Sequence, residues 1–351
     1  MVKYPSGKRK KVIPKKAGIR KGIDKDPNTF VLRLLLNAAP YYVSGSVIAQ
    51  KLKMSRVAVW SRINKLRKAG LTIEASQNLG YRLAAEPNNI NSSLLRAWLD
   101  QVGNRCNLFV YEDTDSTNAV AERLLANGAD APIAVLADYQ SNGRGRRGRK
   151  WFSPSGGNLY LSLGFRPDVQ VIKLRNFTLW QGINICKFLR EFTGSDKIKV
   201  KWPNDIYVDD KKIAGMLTEA SIDSERIKTL IFGIGLNINA PQGNYPRKLK
   251  LNFITMQSLM GNQIRLHELS ALIIENAMKS YFQTKNGENE NLLIKEWQGL
   301  DAFYRKKVKV TTSYGTVIGR AEGINIEGHL KLKLRNGHFK YFASVNSLEK
   351  I

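Results

Sequence analysis

The sequence predicts an α+β multidomain protein with an N-terminal winged helix-turn-helix, a central mixed α/β domain and a C-terminal SH3-like β-barrel. Three observations carry that expectation. Short helical patterns around a tight turn precede two short strands within residues 30–86. A loop dense in glycine and arginine lies between strand-like runs in the middle of the chain. From Val308 onward the pattern alternates apolar and polar residues, broken by glycine turns. A chain of 351 residues accommodates two or three such units, each with its own core.

The charge is large and uneven. There are 56 Lys/Arg against 29 Asp/Glu, a net charge of +27. Residues 1–86 hold 19 of the basic residues against only Asp24, Asp26, Glu74 and Glu86. That concentration is the footprint of a polyanion binder. Residues 1–28 read as a basic flexible arm, with Lys8-Arg9-Lys10-Lys11 and Lys15-Lys16 and no apolar period. A solvated tail that aids solubility and a targeting segment are the alternatives. At 43% hydrophobic and 9% aromatic, the bulk of the chain is globular rather than disordered. No run of about 18 apolar residues is present to span a membrane. The basic N-terminus has no apolar h-region, so the expected location is a reducing cytoplasm. Cys106 and Cys186, with three scattered histidines, make neither a disulfide framework nor a zinc cluster.

Residues 29–86 are expected to form the winged helix-turn-helix. Leu32, Leu35, Leu36 and Ala39 share one helical face that Pro40 ends. After Ser44-Gly45, a second short face comprises Val47, Ile48 and Leu52. Ser55 is a good N-cap for a third helix from about Arg56 to Lys68, with Met54 and Val59 as its staple. Val59, Ile63 and Leu66 face inward, Arg56, Arg62, Lys65 and Lys68 lie off that stripe, and Gly70 is a plausible stop. Leu71–Ala75 and Gly80–Leu83 would be strands of a wing around Ser76-Gln77-Asn78. A second helix with basic residues suits the DNA major groove, so Ser55, Arg56, Arg62 and Lys65, within a helix-turn-helix at about 45–64, are the candidate DNA contacts. A three-helix module that binds protein is the alternative.

The most informative segment runs from Gln140 through Gly143-Arg144-Gly145-Arg146-Arg147-Gly148-Arg149-Lys150-Trp151. It formally matches the dinucleotide fingerprint G-x-G-x-x-G after a buried strand at Ile133–Ala137. A dinucleotide turn, however, enters a helix directly, whereas Phe152-Ser-Pro154-Ser-Gly-Gly157 breaks one. Five cationic side chains are also more than a helix N-terminus needs to hold phosphate. A glycine-hinged cationic loop that closes over an anionic, phosphate-bearing ligand fits better, with Trp151-Phe152 covering an apolar part. Two more clusters accompany it. Ser116-Thr117-Asn118 opens a helix at Ala119–Leu125, where each of the three would also serve as an ordinary N-cap. Lys201-Trp202-Pro203-Asn204-Asp205 follows the strand Ile198–Val200 and leads to Lys212-Ile213-Ala214-Gly215. Finally, the strand Leu230–Asn239 carries Gly233 and Gly235, which permit close backbone approach.

These three clusters, in this order, resemble the biotin–protein ligases. With the winged helix, the resemblance is to the bifunctional bacterial type that also represses the biotin operon, and it covers roughly residues 30–351. It implies a class II synthetase-like catalytic domain over residues 92–299 and an SH3-like domain over 300–351. It also implies ATP, biotin and Mg²⁺, with biotin activated to biotinyl-5′-AMP and passed to a lysine of a biotin carboxyl carrier domain. Carried over residue by residue, Ser116, Thr117, Asn118 and Gln140 line the biotin pocket, where hydroxyl and amide groups suit a ureido ring. Arg144, Gly145 and Arg146 hold the carboxylate and acyl phosphate, and Lys212 adds positive charge beside them. Arg146 also retains the adenylate by closing the loop. Arg149, Trp151, Phe152, Asn204 and Asn237 fall to the adenylate, and Gly233 and Gly235 to the pocket floor. Lys201, Asn204 and Asp205 sit at the acceptor end, where Asp205 orients or deprotonates the incoming lysine or helps hold Mg²⁺. Operator DNA and a ligand-promoted homodimer are the other implied partners. A DNA-binding regulator that senses the ligand without turnover, or a lipoate or octanoate transferase of the same fold, is the rival reading.

Three features depart from the family pattern. The basic arm is longer than usual, Ser155-Gly156-Gly157 adds a glycine after the loop, and Tyr304-Arg305-Lys306-Lys307-Val308 replaces an Arg-Pro-Val opening. Toward the end, Thr316–Gly319 and Leu330–Leu334 read as strands separated by Gly323, Glu327-Gly328 and Asn336-Gly337. Leu266–Tyr281 and Leu292–Trp297 read as helices closing the central domain.

Overall fold

The computed structural model describes residues 26–239, 252–287 and 290–351. The arm expected over residues 1–28 therefore lies outside the described residues except at its very end. There, α1 (Pro27–Ala38) begins earlier than the hydrophobic pattern suggests, because Asp26 caps it. The Asp26 carboxylate accepts from Asn28 N and Thr29 N, each at 3.1 Å, and Pro27 supplies a first-turn residue with no N–H to satisfy.

Two further helices follow, α2 (Gly45–Leu52) and α3 (Arg56–Lys68), joined by a turn with Lys53 at φ 53. Ser55 Oγ caps α3 by accepting from Ala58 N at 3.1 Å. Strands β1 (Thr72–Ser76) and β2 (Gly80–Ala85) pair antiparallel, with Ser76 opposite Gly80. Val31, Leu32, Leu35, Ile48, Val59, Ile63 and Leu66 fill the core between these elements.

The next helix, α4 (Ser92–Gln101), belongs to two cores at once. Leu94 and Ala97 join the N-terminal core, while Leu95 and Leu99 turn to the central one. Polar contacts reinforce the joint. Ser93 Oγ donates to Asp26 at 2.7 Å, and Arg33 pairs with Asp100 at 3.4 Å. Just past β2, the buried Glu86 carboxylate takes Arg265 at 2.7 Å, His267 Nδ1 at 3.1 Å and Trp98 Nε1 at 3.1 Å. Burial pushes the Glu86 pKa up, but the His267 and Arg265 bonds outweigh it and hold the carboxyl below its ordinary value. His267 Nε2 accepts from Asn91 N at 2.9 Å, so its ring proton lies on Nδ1, toward Glu86.

The central sheet is built from β3 (Asn107–Thr114), β4 (Ile133–Gln140), β5 (Leu159–Phe165), β6 (Val169–Gln170), β7 (Ile198–Lys201), β8 (Asp205–Val208), β9 (Lys211–Asp223) and β10 (Arg226–Leu236). Its order is β3-β4-β5-β10-β9-β8-β7, with β6 beside β10. Among these strands only β3 and β4 pair parallel, and α5 (Thr117–Ala126) is the crossover between them. Alternation along β4 divides the two faces. Ile133 and Val135 pack under α5, while Ala134 and Leu136 face the large core that α6 (Phe177–Thr193) and the C-terminal helices cover. Those helices are α7 (Met256–Met260), α8 (Leu266–Lys285) and α9 (Glu290–Leu300).

The C-terminal region is strand-rich. β11 (Lys307–Thr312), β12 (Gly315–Ile324), β13 (Leu330–Lys333), β14 (Phe339–Phe342) and β15 (Ser347–Lys350) form one antiparallel sheet in the order β14-β13-β12-β11-β15. Gly323, expected to separate two strands, lies inside β12 instead. Its φ of 81 absorbs a register shift between Ala321 and Ile324, so the strand bulges where it was expected to stop. This sheet is fastened to the centre by Trp202 Nε1 donating to Gly328 O and Asn176 Nδ2 donating to Ile326 O, both at 3.0 Å. At the junction, the buried Asp301 accepts from Phe303 N at 2.9 Å, and burial pushes its carboxyl up to about 6.

Candidate active site

One cavity of about 310 Å³ opens where β4, β9 and β10 meet the loop that follows β4. Its polar end is one connected network. Ser116 stands at the N-cap position of α5 but makes no side-chain cap bond, and it is buried. Thr117 N and Oγ1 both donate to Gln140 Oε1, at 2.8 and 3.2 Å, and Gln140 Nε2 donates to Ser153 Oγ at 2.8 Å. Ser162 Oγ lies 2.8 Å from Thr117 Oγ1 and hydrogen-bonds Asn118 Oδ1. Asn118 Nδ2 in turn donates to Glu219 Oε2 at 2.7 Å. With its partners fixed, this end presents oriented polar groups rather than rotatable ones.

The loop forms the roof. Trp151 N donates to Gly143 O at 2.8 Å and Gly145 N to Arg149 O at 2.7 Å, enclosing a short 3₁₀ turn at Arg146–Gly148. No α-helix follows, so the glycine pattern is not a dinucleotide turn. Arg147, at φ 57, donates to Ser344 Oγ at 2.8 Å and so ties the roof to the C-terminal sheet. Arg146 is half-buried. Burial, then the neighbouring Arg147 and Arg149, lowers its pKa, with Asp205 opposing. Lys212 Nζ sits 2.7 Å from Asp205 Oδ1 and 5.0 Å from the centre of the Trp151 ring.

The apolar end depends on two glycines. A Cβ on Gly235 would come within 2.3 Å of the Trp151 ring, and one on Gly215 within 2.8 Å, so the indole lies flat against strands that carry no side chain there. Gly233 leaves room in the same way for Asn118, whose Oδ1 would be 2.3 Å from an added Cβ. Gly233 and Gly235, expected at the pocket floor, line the cavity and leave room for the Asn118 and Trp151 side chains. Trp151 Nε1 is buried without a hydrogen-bond partner in the protein, a cost that a bound acceptor would remove.

Of the residues singled out in the sequence, Ser116, Thr117, Asn118, Gln140, Arg144, Gly145, Arg146, Arg149, Trp151, Phe152, Asn204, Asp205, Lys212, Gly233, Gly235 and Asn237 all line this cavity. Phe152 does so while 42% exposed, at the rim rather than over the interior. Lys201 is not brought in. Its ammonium lies 4.5 Å from the Tyr207 ring centre and 5.1 Å from that of Phe303, and donates to the Tyr207 hydroxyl at 3.2 Å. β7 places Lys201 opposite Asp205 and on the sheet face that Asp205 and Tyr207 share, but its ammonium is held on the Tyr207 and Phe303 rings. Burial lowers the pKa of Lys201. In the N-terminal unit, Ser55, Arg56 and Lys65 are exposed, but Arg62 reaches back toward Asn28 Oδ1 at 3.4 Å and does not stand on the outer face of α3.

Several lining or supporting residues escaped the sequence reading. Tyr207 shares a strand face with Asp205, two residues away, so the period of β8 would have found it. Ser162 and Glu219 carry no local signal, because a polar residue in a strand normally reads as solvent-facing. Asn252 and Phe253 reach the cavity because Lys212 N donates to Asn252 O at 2.9 Å and Ile254 N donates to Lys212 O at 3.0 Å. Among the described residues, no group of three His, Cys, Asp or Glu is arranged for a metal ion.

Against known proteins, residues 110–237 match the model of the biotin/lipoate A/B protein ligase family, and residues 29–82 match that of an HTH domain. The chain is 31% identical over 316 residues to the bifunctional ligase/repressor BirA of Bacillus subtilis, spanning 90% of this chain and 96% of that one. It is 32% identical over 310 residues to its counterpart from Escherichia coli, covering 87% and 93% of the two chains.

The chain belongs to the bifunctional biotin ligase/repressor family.

Among solved structures, this family member is similar to the biotin protein ligase of Aquifex aeolicus in complex with biotin and ATP, with a TM-score of 0.58 and 27% identity. That likeness covers 70% of this chain and 99% of that one. No helix among the described residues is long and apolar enough to cross a membrane.

Proposed function

We propose that this chain is an ATP-dependent biotin–protein ligase that also represses transcription. It joins biotin to ATP as biotinyl-5′-AMP, passes the biotinyl group to a lysine of a biotin carboxyl carrier domain, and uses the same adenylate as corepressor at operator DNA. The single observation that carries the reading is the pairing of two unlike ends in one cavity. A fixed amide and hydroxyl network, with Arg144 paired to its Glu219 at 3.4 Å, lies at one end, and Arg146, Arg149 and Lys212 gather at the other.

The polar end suits the ureido ring of biotin, which has donors and acceptors that must not be buried unpaired. A dithiolane ring has nothing to offer that network, which favours biotin over lipoate. Trp151 supplies an apolar wall for the bicyclic ring and a donor with no protein partner. At the other end, a carboxylate attacking a polyphosphate meets like-charge repulsion. Arg146 and Lys212 lower that barrier by standing where negative charge accumulates. The carboxylate attacks the α-phosphorus of ATP, the acyl–phosphate bond forms, and pyrophosphate leaves. In the second step the acceptor amine attacks the acyl carbon, loses a proton and expels AMP. Asp205, already paired with Lys212, would orient that amine or take its proton. Arg149, Asn204 and Asn237 would hold the adenylate, with Phe152 at its edge.

The residues fit Mg²⁺ only as a shared ion. Asp205 would be its one carboxylate ligand, the remaining positions going to phosphate oxygens and water, and its contribution when bound is neutralisation of polyphosphate charge. The ranges 29–86, 92–299 and 300–351 are proposed as the DNA-binding, catalytic and SH3-like domains, the last supported by five antiparallel strands in sequence order except that β15 returns to pair with β11 at the edge. A homodimer promoted by the adenylate would couple biotin supply to operator affinity.

The test of the chemistry is exchange. Purified protein supplied with biotin, Mg²⁺ and ATP should move labelled pyrophosphate into ATP, and the exchange should vanish without biotin. Absence of biotin-dependent exchange would refute the ligase assignment.

A further inference from the structure

α3 hides Val59, Ile63 and Leu66 and exposes the opposite side. On that exposed side, within its first turn and a half, Val57 is 74% exposed and Trp60 56%. At a spacing of three they are neighbours on the helix surface and make one apolar patch. Single exposed apolar residues are ordinary. The position of this pair is not, because the N-terminal part of the second helix of a helix-turn-helix is what meets base edges in the major groove.

The surroundings name the partner. Ser55, Arg56, Ser61, Lys65 and Lys68 on α3, with Lys51 and Lys53 at the end of α2, are all exposed around the patch. A basic rim with an apolar centre is complementary to a groove walled by phosphates, and in the major groove the apolar feature of the base edges is the C5-methyl of thymine. Arg62, the obvious polar reader of guanine in the middle of the helix, is directed toward Asn28.

We propose that Val57 and Trp60 read thymine methyl groups in the major groove, so that half-sites are selected by the placement of thymines between phosphate contacts. The proposal rests on the DNA-binding reading above and adds the chemistry of recognition to it.

The experiment uses the full chain with biotin and ATP. Duplexes are first selected from a random-sequence pool, and the selected duplex is then remade with uracil in place of thymine, one position at a time. Each contacted methyl should be worth about fourfold in affinity. Trp60→Ala and Val57→Ser should bind more weakly and lose the uracil penalty at their own positions. The salt slope should stay unchanged in both variants and fall by about one for Lys65→Ala. Biotin-dependent pyrophosphate exchange should be unaffected in all three, which controls for the catalytic domain, and the unchanged salt slope and unchanged Tm of Val57→Ser and Trp60→Ala control for folding of the N-terminal unit. Failure of the wild-type chain to select any duplex would sink the DNA-binding reading itself. Selection with no uracil penalty, or with a penalty that survives in both Val57→Ser and Trp60→Ala, would overturn this proposal alone. So would a Trp60→Ala chain with unaltered DNA binding but impaired self-association or carrier modification, which would make the patch a protein-docking surface.

Discussion

Two residues carry opposite lessons about the cavity. Arg146 is half-buried among other cations, an arrangement whose free-energy cost an anion offsets. Arg146→Gly should therefore release the adenylate early. Incubated with a mixture of unrelated proteins, biotin and ATP, that variant should biotinylate exposed lysines broadly, as read by mass spectrometry, whereas the parent chain labels the carrier domain alone. Unchanged selectivity would count against retention. Gly235 works through absence. A methyl there collides with the Trp151 ring, and the loop, not the strand, is the part able to yield. Gly235→Ala should raise the KM for biotin about tenfold or more while shifting Tm little, because the loss is of a binding wall equivalent to ~1.4 kcal/mol or greater. A large fall in Tm with normal KM would show that the strand had moved instead.

At the scale of elements, the readable parts of the sequence were those whose signals are local. The three N-terminal helices announce themselves through a 3.6-residue period, and Ser55 does cap α3 as its position before Arg56 suggests. The loop was legible because five cations among three glycines suit no regular element. Lys201 was misplaced for the complementary reason. It does stand opposite Asp205 in the β7–β8 register, but the Tyr207 hydroxyl and the Tyr207 and Phe303 rings take its ammonium, and Phe303 is distant in sequence. The Thr117–Ser162–Asn118–Glu219 network was illegible because its members come from three separate elements, and only folding makes them adjacent. Another junction has a measurable signature. Asp301, between α9 and β11, has its pKa raised in the folded chain, so the folded state binds its proton more tightly than the unfolded state. The stability it contributes is complete below about 4, near the ordinary carboxyl value, and is lost as pH rises through about 6. Relative to Asp301→Asn, the parent chain should therefore gain stability as pH falls from 7 to 4, by on the order of 2 kcal/mol in paired urea titrations. A difference that stays flat with pH would remove the buried carboxyl from the account.

Across the whole molecule, the N-terminal unit is not a bead on a string. Its core includes one face of α4, and the Glu86 carboxylate locks its last strand to α8 through Arg265 and His267. Deleting residues 1–86 should leave biotin-dependent pyrophosphate exchange at a near-parental kcat, since no cavity residue is lost. The same deletion should cost about 2 kcal/mol or more by uncovering Leu94 and Ala97 and stripping His267 of its carboxylate, seen as a lower Tm. An unchanged Tm would mean that the shared helix contributes nothing across the joint.

A helix with each side sunk in a different core behaves as an axle rather than a tether. The direction in which α3 points is then set by the body that makes the adenylate, and two such bodies brought face to face would hold their reading helices at a separation that no stretch of loose chain can adjust.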